Sequence, residues 1–129
     1  MTNILLSVVD DDESLRRAMI RLLESFGFRA EAFDSAEKFL QCPHLGDTSC
    51  LIADVQMPGM NGLELQSQLA ASGYHIPIIF ITAYGDKKTR RRAMSGGAVA
   101  FLGKPFGDEQ LLHSIEAALD VGKSPAEKS

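Results

Sequence analysis

The chain has little of several things, and each shortage narrows its possible roles. It has only two cysteines, Cys42 and Cys50. Their spacing matches neither a metal motif nor a disulfide framework, so a reducing cytoplasm is the expected setting. No apolar run approaches the roughly 20 residues of a membrane-spanning helix. The apolar stretch 4–9 is short and lacks the basic flank of a secretion signal, so no membrane role is expected. Positive charge is not in excess: 13 Lys and Arg against 17 Asp and Glu give a net charge of −4. That argues against a nucleic-acid-binding surface within this chain. Tryptophan is absent and no internal repeat is visible. The three histidines, His44, His75 and His113, are scattered and read as surface or loop residues. Met57, Met60 and Met94 read as packing residues rather than redox groups.

What is present is the composition of one ordinary globular domain. Of its 129 residues 45% are hydrophobic and 23% charged, enough to enclose a single core. The chain is organised around residues 50–62. An apolar run of strand length stops at Asp54, and Pro58, Gly59, Asn61 and Gly62 follow as a cluster of turn formers. Asp54 lies too far ahead of the next periodic segment to be a simple helix cap, a role Asn61 fills better.

Around this stretch, strands and helices alternate. Strands are expected at 4–9, 28–33, 50–54, 76–81 and 98–102. A helix capped by Asp12 carries Leu15, Met19, Leu22, Leu23 and Phe26 on one face and ends at Gly27. Asp34 with Glu37 suggests a capping box opening a brief helix through Leu40. Residues 42–48 read as loop. A third helix carries Leu63, Leu65 and Leu69 and ends at Gly73. Asp86 opens a fourth helix, 87–95, closed by Gly96 and Gly97. Its exposed face is basic through Arg90, Arg91 and Arg92, read as a solvated face. Asp108 caps a fifth helix with Leu111, Leu112, Ile115 and Leu119 inward. Five strands too apolar to be wetted, alternating with five helices, imply an α/β fold with a parallel sheet covered on both faces. The domain spans 1–121, and 122–129 reads as a polar tail or a truncated linker.

Four strands end in chemically capable residues: Asp10 and Asp11, Asp54, Thr82, and Lys104. In a parallel sheet these ends share one edge, where ligands collect. Three crowded carboxylates either raise a pKa or bind a cation, and an oxygen-only set favours Mg²⁺. Lys104 adds a fixed positive charge and Thr82 a hydroxyl donor. The set suits phosphoryl transfer, with an aspartate able to serve as nucleophile.

On Val8-Val9-Asp10-Asp11, the run from Asp54 to Gly62, Ile81-Thr82-Ala83 and Lys104-Pro105-Phe106, the chain resembles the receiver domains of bacterial two-component response regulators. The stretches 80–86 and 97–102 resemble the FixJ-like subgroup, whose members usually control transcription. The resemblance covers about residues 4–119. It implies a flavodoxin-like (βα)5 three-layer sandwich with strand order 2-1-3-4-5. It implies Asp54 as phospho-acceptor, supplied by a sensor histidine kinase, with Asp10, Asp11, Asp54 and the Gln56 backbone carbonyl as Mg²⁺ ligands. Lys104 would pair with phosphoryl oxygens, while Thr82, Phe101 and Tyr84 would form the switch toward the helix 4, strand 5 and helix 5 surface. Relatives commonly hold the Lys-Pro bond cis. A phosphorylation-dependent homodimer is also implied, and DNA would be reached only through an effector domain outside this chain. Ala100 and Gly103 depart from the pattern, standing where relatives often carry an acid or another side chain.

Other classes fit less well. A haloacid-dehalogenase-like aspartyl phosphatase needs an Asp two residues after the nucleophile, where this chain has Gln56. An FMN carrier needs hydroxyls and glycines after the first strand, where this chain has four acids that repel phosphate. A stand-alone receiver and a phosphorylation-independent adaptor are the alternatives within the fold. The domain would turn over no free substrate, so it is not expected to be an enzyme.

Overall fold

The computed structural model describes residues 4–83 and 85–122, with side chains as far as 120. Tyr84 lies outside the described residues, as does the expected tail from 123 onward. The elements alternate as β1 (Leu5–Val9), α1 (Glu13–Ser25), β2 (Arg29–Phe33), α2 (Ala36–Leu40), β3 (Cys50–Asp54), α3 (Gly62–Ala71), β4 (Ile78–Thr82), α4 (Lys87–Ser95), β5 (Ala100–Gly103) and α5 (Asp108–Gly122). All pairings are parallel, and the sheet order is β2-β1-β3-β4-β5.

β1, β3 and β4 are buried at every position, as sheets covered on both faces require. Alternate residues sort into two cores. Val9, Leu51, Ala53 and Phe80 pack with Phe39 of α2, Leu65 and Leu69 of α3, and Ala93 of α4. Leu6, Val8, Ile52, Ile79 and Ile81 pack with Met19 and Leu23 of α1 and Leu111, Ile115 and Ala118 of α5. The period-2 alternation of each strand therefore builds three layers. Each fully buried Leu, Ile or Phe contributes about 1.5–3 kcal/mol.

The ends of the elements have local causes. Asp12, Asn61 and Asp86 cap α1, α3 and α4 as expected, and Asn61 forms a reciprocal capping box with Glu64. Several expectations are corrected. Ser35, not Asp34, caps α2, its hydroxyl accepting from the Lys38 N–H, while Asp34 pairs with the Lys38 ammonium. Glu37 turns away from any capping box toward the Met60 N–H. Asp108 is the first residue of α5 rather than its cap, because the Gly107 carbonyl already accepts from Leu111. α5 also takes in Gly122, which the sequence placed in the tail. β4 starts at Ile78, not at 76, because Pro77 has no N–H for the ladder and contributes only its carbonyl, to Leu51. The expected loop 42–48 contains a short 3-10 turn, Leu45–Asp47, anchored by the buried Leu45.

α4 is attached thinly, with Ala93 its one buried residue. Gln66 of α3 donates its side-chain amide to the Ala93 carbonyl (3.0 Å), and a Cβ on Gly96 would fall 2.5 Å from the Gln66 Oε1. α3 starts equally tightly. A Cβ on Gly62 would lie 2.5 Å from the Asp54 carbonyl oxygen and 3.0 Å from both Phe80 and the Val55 Cα. By contrast, nothing lies within 4 Å of a Cβ built on Gly103, and its φ is ordinary.

These surroundings predict opposite outcomes for two glycines. Gly62→Ala should lower unfolding free energy by about 1–3 kcal/mol through overpacking against backbone. Gly103→Ala should leave it unchanged or raise it by up to about 1 kcal/mol. Urea denaturation of both variants measures the difference.

Candidate functional site

The carboxyl ends of β1, β3, β4 and β5 bring the sequence-predicted groups together. Asp10 follows β1 and is fully buried, Asp54 ends β3 at 6% exposure, and Thr82 ends β4, also buried. Lys104 follows β5, and its N–H donates to the Thr82 carbonyl (2.8 Å). The carboxylates of Asp10, Asp11 and Asp54 each place an oxygen within 4.8 Å of the others, with Asp11 exposed on the solvent side.

The two buried acids are held in matching fashion. Lys104 Nζ donates to Asp10 Oδ2 (3.1 Å) and to Asp54 Oδ2 (3.2 Å). Each remaining oxygen takes a backbone N–H two residues ahead: Asp12 to Asp10 Oδ1 (2.8 Å), and Gln56 to Asp54 Oδ1 (3.1 Å). Each acid thus closes the turn beyond its own strand while its other oxygen meets the same ammonium. The Lys104-Pro105 peptide is cis.

Burial pushes the Asp54 carboxyl above its ordinary range. The Gln56 N–H and Lys104 oppose that shift, and the Asp10 charge reinforces it. Burial works against the charge on Lys104, but its contacts with Asp10 and Asp54 outweigh this and raise its pKa. The arrangement is a carboxylate pair under repulsion, relieved by one cation. The donors that remain for an added ion are all oxygens, a set that fits Mg²⁺.

Two supports escaped the sequence reading. Arg16 of α1 donates through Nη1 to the Asp10 carbonyl (2.7 Å). Glu37 of α2 accepts from the Met60 N–H (3.0 Å) in the loop beyond Asp54. That loop turns at Gly59, whose φ of +73° favours glycine, and a Cβ there would sit 2.8 Å from the Glu37 Oε2. Neither residue type advertises the contact, since exposed helical Arg and Glu are common.

The remaining predicted residues are placed as follows. Gln56 presents its backbone to Asp54 through the N–H bond above. Phe101 lies on β5, half-buried against the α2–α3–α4 core. Gly85 meets both Thr82 and Phe101: a Cβ on it would lie 2.7 Å from Phe101 Cε1 and 3.1 Å from Thr82 Cγ2. His44 lies at the surface against Glu31 of β2. Among the described residues, no helix is long and apolar enough to cross a membrane.

Comparison with known proteins agrees with this geometry. The family model for the response regulator receiver domain matches residues 6–116. Nodulation protein W of Bradyrhizobium diazoefficiens is 48% identical over 119 residues, covering 92% of this chain and 52% of that protein. The transcriptional regulatory protein FixJ of the same organism is 40% identical, covering 95% of this chain and 59% of its own length. The solved structure of response regulator StyR superposes with a TM-score of 0.87 at 45% identity, over 98% of this chain and 63% of that one. The chain therefore spans little more than half the length of these curated relatives.

The charge arrangement predicts opposite stability effects for two variants without metal. A raised Asp54 pKa means that the folded state holds its proton more tightly than the unfolded chain. Stability from this group therefore falls as pH rises from the ordinary carboxylate range through the raised value. Asp54→Asn should flatten that slope and raise the Tm at neutral pH. Lys104 contributes stability that is complete below the ordinary lysine range and is lost as pH climbs through its raised value. Lys104→Ala should lower the Tm across the neutral range, leaving Asp10 and Asp54 to repel. Calorimetric melts from pH 4 to 9 with chelator present would measure both.

Proposed function

This chain belongs to the response regulator receiver domain family, with FixJ among its relatives, and on that premise we propose that it is a phosphorylation-driven signalling switch. The observation that carries the reading is the Lys104 ammonium held between the buried Asp10 and the nearly buried Asp54. It supports the reading because two buried carboxylates share a fixed cation at one sheet edge, the set a phosphoryl acceptor needs.

Asp54 is the acceptor. One of its oxygens attacks the phosphorus of a phosphohistidine on a partner histidine kinase. The P–N bond breaks, its electron pair stays on the imidazole nitrogen, and an aspartyl-phosphate results. The phosphoryl brings new anionic oxygens into the space that Lys104 borders, and Lys104 pairs with them. Asp10, Asp11, Asp54 and the Gln56 carbonyl would hold Mg²⁺, which when bound supplies neutralisation of charge on the phosphoryl oxygens. The Gln56 N–H and the Asp12 N–H hold the two buried acids in place throughout.

The relay runs through Thr82 and Phe101. Thr82 and Phe101 both lie against the Gly85 position, so a shift of the Thr82 side chain toward the phosphoryl frees space in the neighbourhood of the Phe101 ring. Phosphorylation then shifts an existing equilibrium of the α4, β5 and α5 surface by its differential contacts. α4 is part of that surface, and a phosphorylation-dependent homodimer through it is a corollary. The output is transcriptional control in the cytoplasm, exerted through an effector domain outside this chain. The domain assists its own phosphorylation and dephosphorylation but is not an enzyme toward a free substrate.

Incubation with a small acyl phosphate and Mg²⁺ should add one phosphoryl group, labile to hydroxylamine and absent from Asp54→Asn. Wild-type labelling of Asp54→Asn would sink the acceptor assignment. Thr82→Ala should still accept phosphoryl, while amide exchange over residues 86–103 changes less on phosphorylation than in wild type. A full response in Thr82→Ala would remove the relay and leave the acceptor standing.

A further inference from the structure

A second cluster of donors lies away from the acidic edge and has no part in the proposed switch. Glu31 is on β2, the edge strand, paired in register with Ser7 of β1. Cys42 and His44 lie in the turn after α2 and flank Pro43. The Cys42 thiol, a His44 ring nitrogen and a Glu31 carboxylate oxygen all fall within 4.8 Å of one another. His44 Nε2 lies 2.8 Å and 2.9 Å from the two Glu31 oxygens, so the ring already faces the carboxylate.

We propose that Glu31, Cys42 and His44 form a transition-metal site that takes Zn²⁺ with one sulfur, one nitrogen and one oxygen ligand and leaves a fourth position open to water.

Ligand chemistry separates this site from the acidic edge. A thiolate and an imidazole select Zn²⁺ over Mg²⁺, whereas the Asp10, Asp11 and Asp54 set is oxygen alone. Bonds of about 2.0–2.3 Å in a tetrahedral site put neighbouring ligand atoms roughly 3.3–3.8 Å apart. An ion would therefore widen the His44–Glu31 contact by about 0.5 Å and draw the most distant pair in by no more than about 1.5 Å. The scaffold restrains both loop ligands. The Cys42 N–H donates to the Phe39 carbonyl (3.1 Å) and the Cys42 carbonyl accepts from Leu45 (3.2 Å). The His44 carbonyl accepts from Asp47 (2.9 Å), and Pro43 between the two ligands fixes its own φ. Leu45, buried next to His44, anchors the turn to the core.

Charge around the site is mixed: Arg29 and Asp47 line the same open pocket as Glu31 and His44. The other thiol does not compete. Cys50 is buried in β3, and burial pushes its pKa up to about 12. Glu31 lies more than ten residues before Cys42 and on another element, which is why the two-cysteine pattern hides the site. A bound ion would tie the edge strand to the segment leading into β3.

The probe is Co²⁺, titrated into the full reduced chain and followed by absorption, then displaced by Zn²⁺. The expected result is a one-to-one complex with thiolate-to-metal charge transfer and intense visible bands of a four-coordinate ion. Zn²⁺ alone should raise the Tm of the wild type. Cys42→Ser should abolish the charge-transfer band and, with Mg²⁺ in excess to fill the acidic edge, the Zn²⁺-dependent Tm rise, His44→Ala should weaken binding more than about tenfold, and Asp54→Asn should leave the charge-transfer band unchanged. Circular dichroism of each variant checks that it is folded. Weak six-coordinate bands without charge transfer, or a charge-transfer band that survives Cys42→Ser, would overturn the site.

Discussion

One ammonium against two buried carboxylates is the constraint on which the acidic edge depends. Asp10 and Asp54 are two charges that the sheet takes out of water, a burial that costs several kcal/mol per ion unless partners compensate. The fold compensates with one cation, on a residue that arrives 50 positions after Asp54 in the chain. The closing turns add a backbone N–H to each acid. The result is balanced but not relaxed, as the raised Asp54 pKa records. A divalent cation of the kind proposed for this edge would supply the positive partner that the charge arrangement lacks.

The sheet makes this arrangement possible because order along the chain is not order in space. β1 lies between β2 and β3, so Asp10 and Asp54 end adjacent strands although α1, β2 and α2 separate them in sequence. Lys104 comes from two strands further along and reaches back across β4. The surrounding helices hold this edge from outside. Arg16 of α1 grips the Asp10 carbonyl, and Glu37 of α2 grips the loop beyond Asp54. Gly59 and Gly62 let that loop come within contact of Glu37 and of the β3 backbone.

Most of this was legible in the sequence because each feature had a local cause. Strand ends carrying Asp10, Asp54, Thr82 and Lys104 could be read without tertiary knowledge, since parallel topology forces them to one edge. Caps at Asp12, Asn61 and Asp86 were legible for the same reason. The failures are informative. At Asp34-Ser35 two good capping residues stand side by side, and only the backbone decides between them. At Gly107-Asp108 the first helical carbonyl belongs to the glycine, which leaves no trace in side-chain patterning. The roles of Arg16, Glu37 and Gln66 depend on which helix packs beside which loop, and Glu31 meets Cys42 and His44 only because α2 folds back along the edge strand. Long-range pairings of this kind have no periodicity to betray them.

The Gln66 amide on the Ala93 carbonyl has a mechanical consequence. It fastens α4 near its C-terminal end, where Gly96 leaves room for nothing else, whereas the opposite end is held by its Asp86 cap on a loop. A rod clamped at one end swings rather than slides. From Lys87 to Ala93 is six residues, an arm of about 9 Å at 1.5 Å rise, so a tilt of about 10° at the clamp carries the Lys87 end through roughly 1.5 Å. Displacement is then largest beside Gly85 and smallest beside α3. In the proposed switch, movement of the Phe101 ring beside Gly85 would act near the long end of this lever, and the basic side chains spaced along it would sweep graded distances.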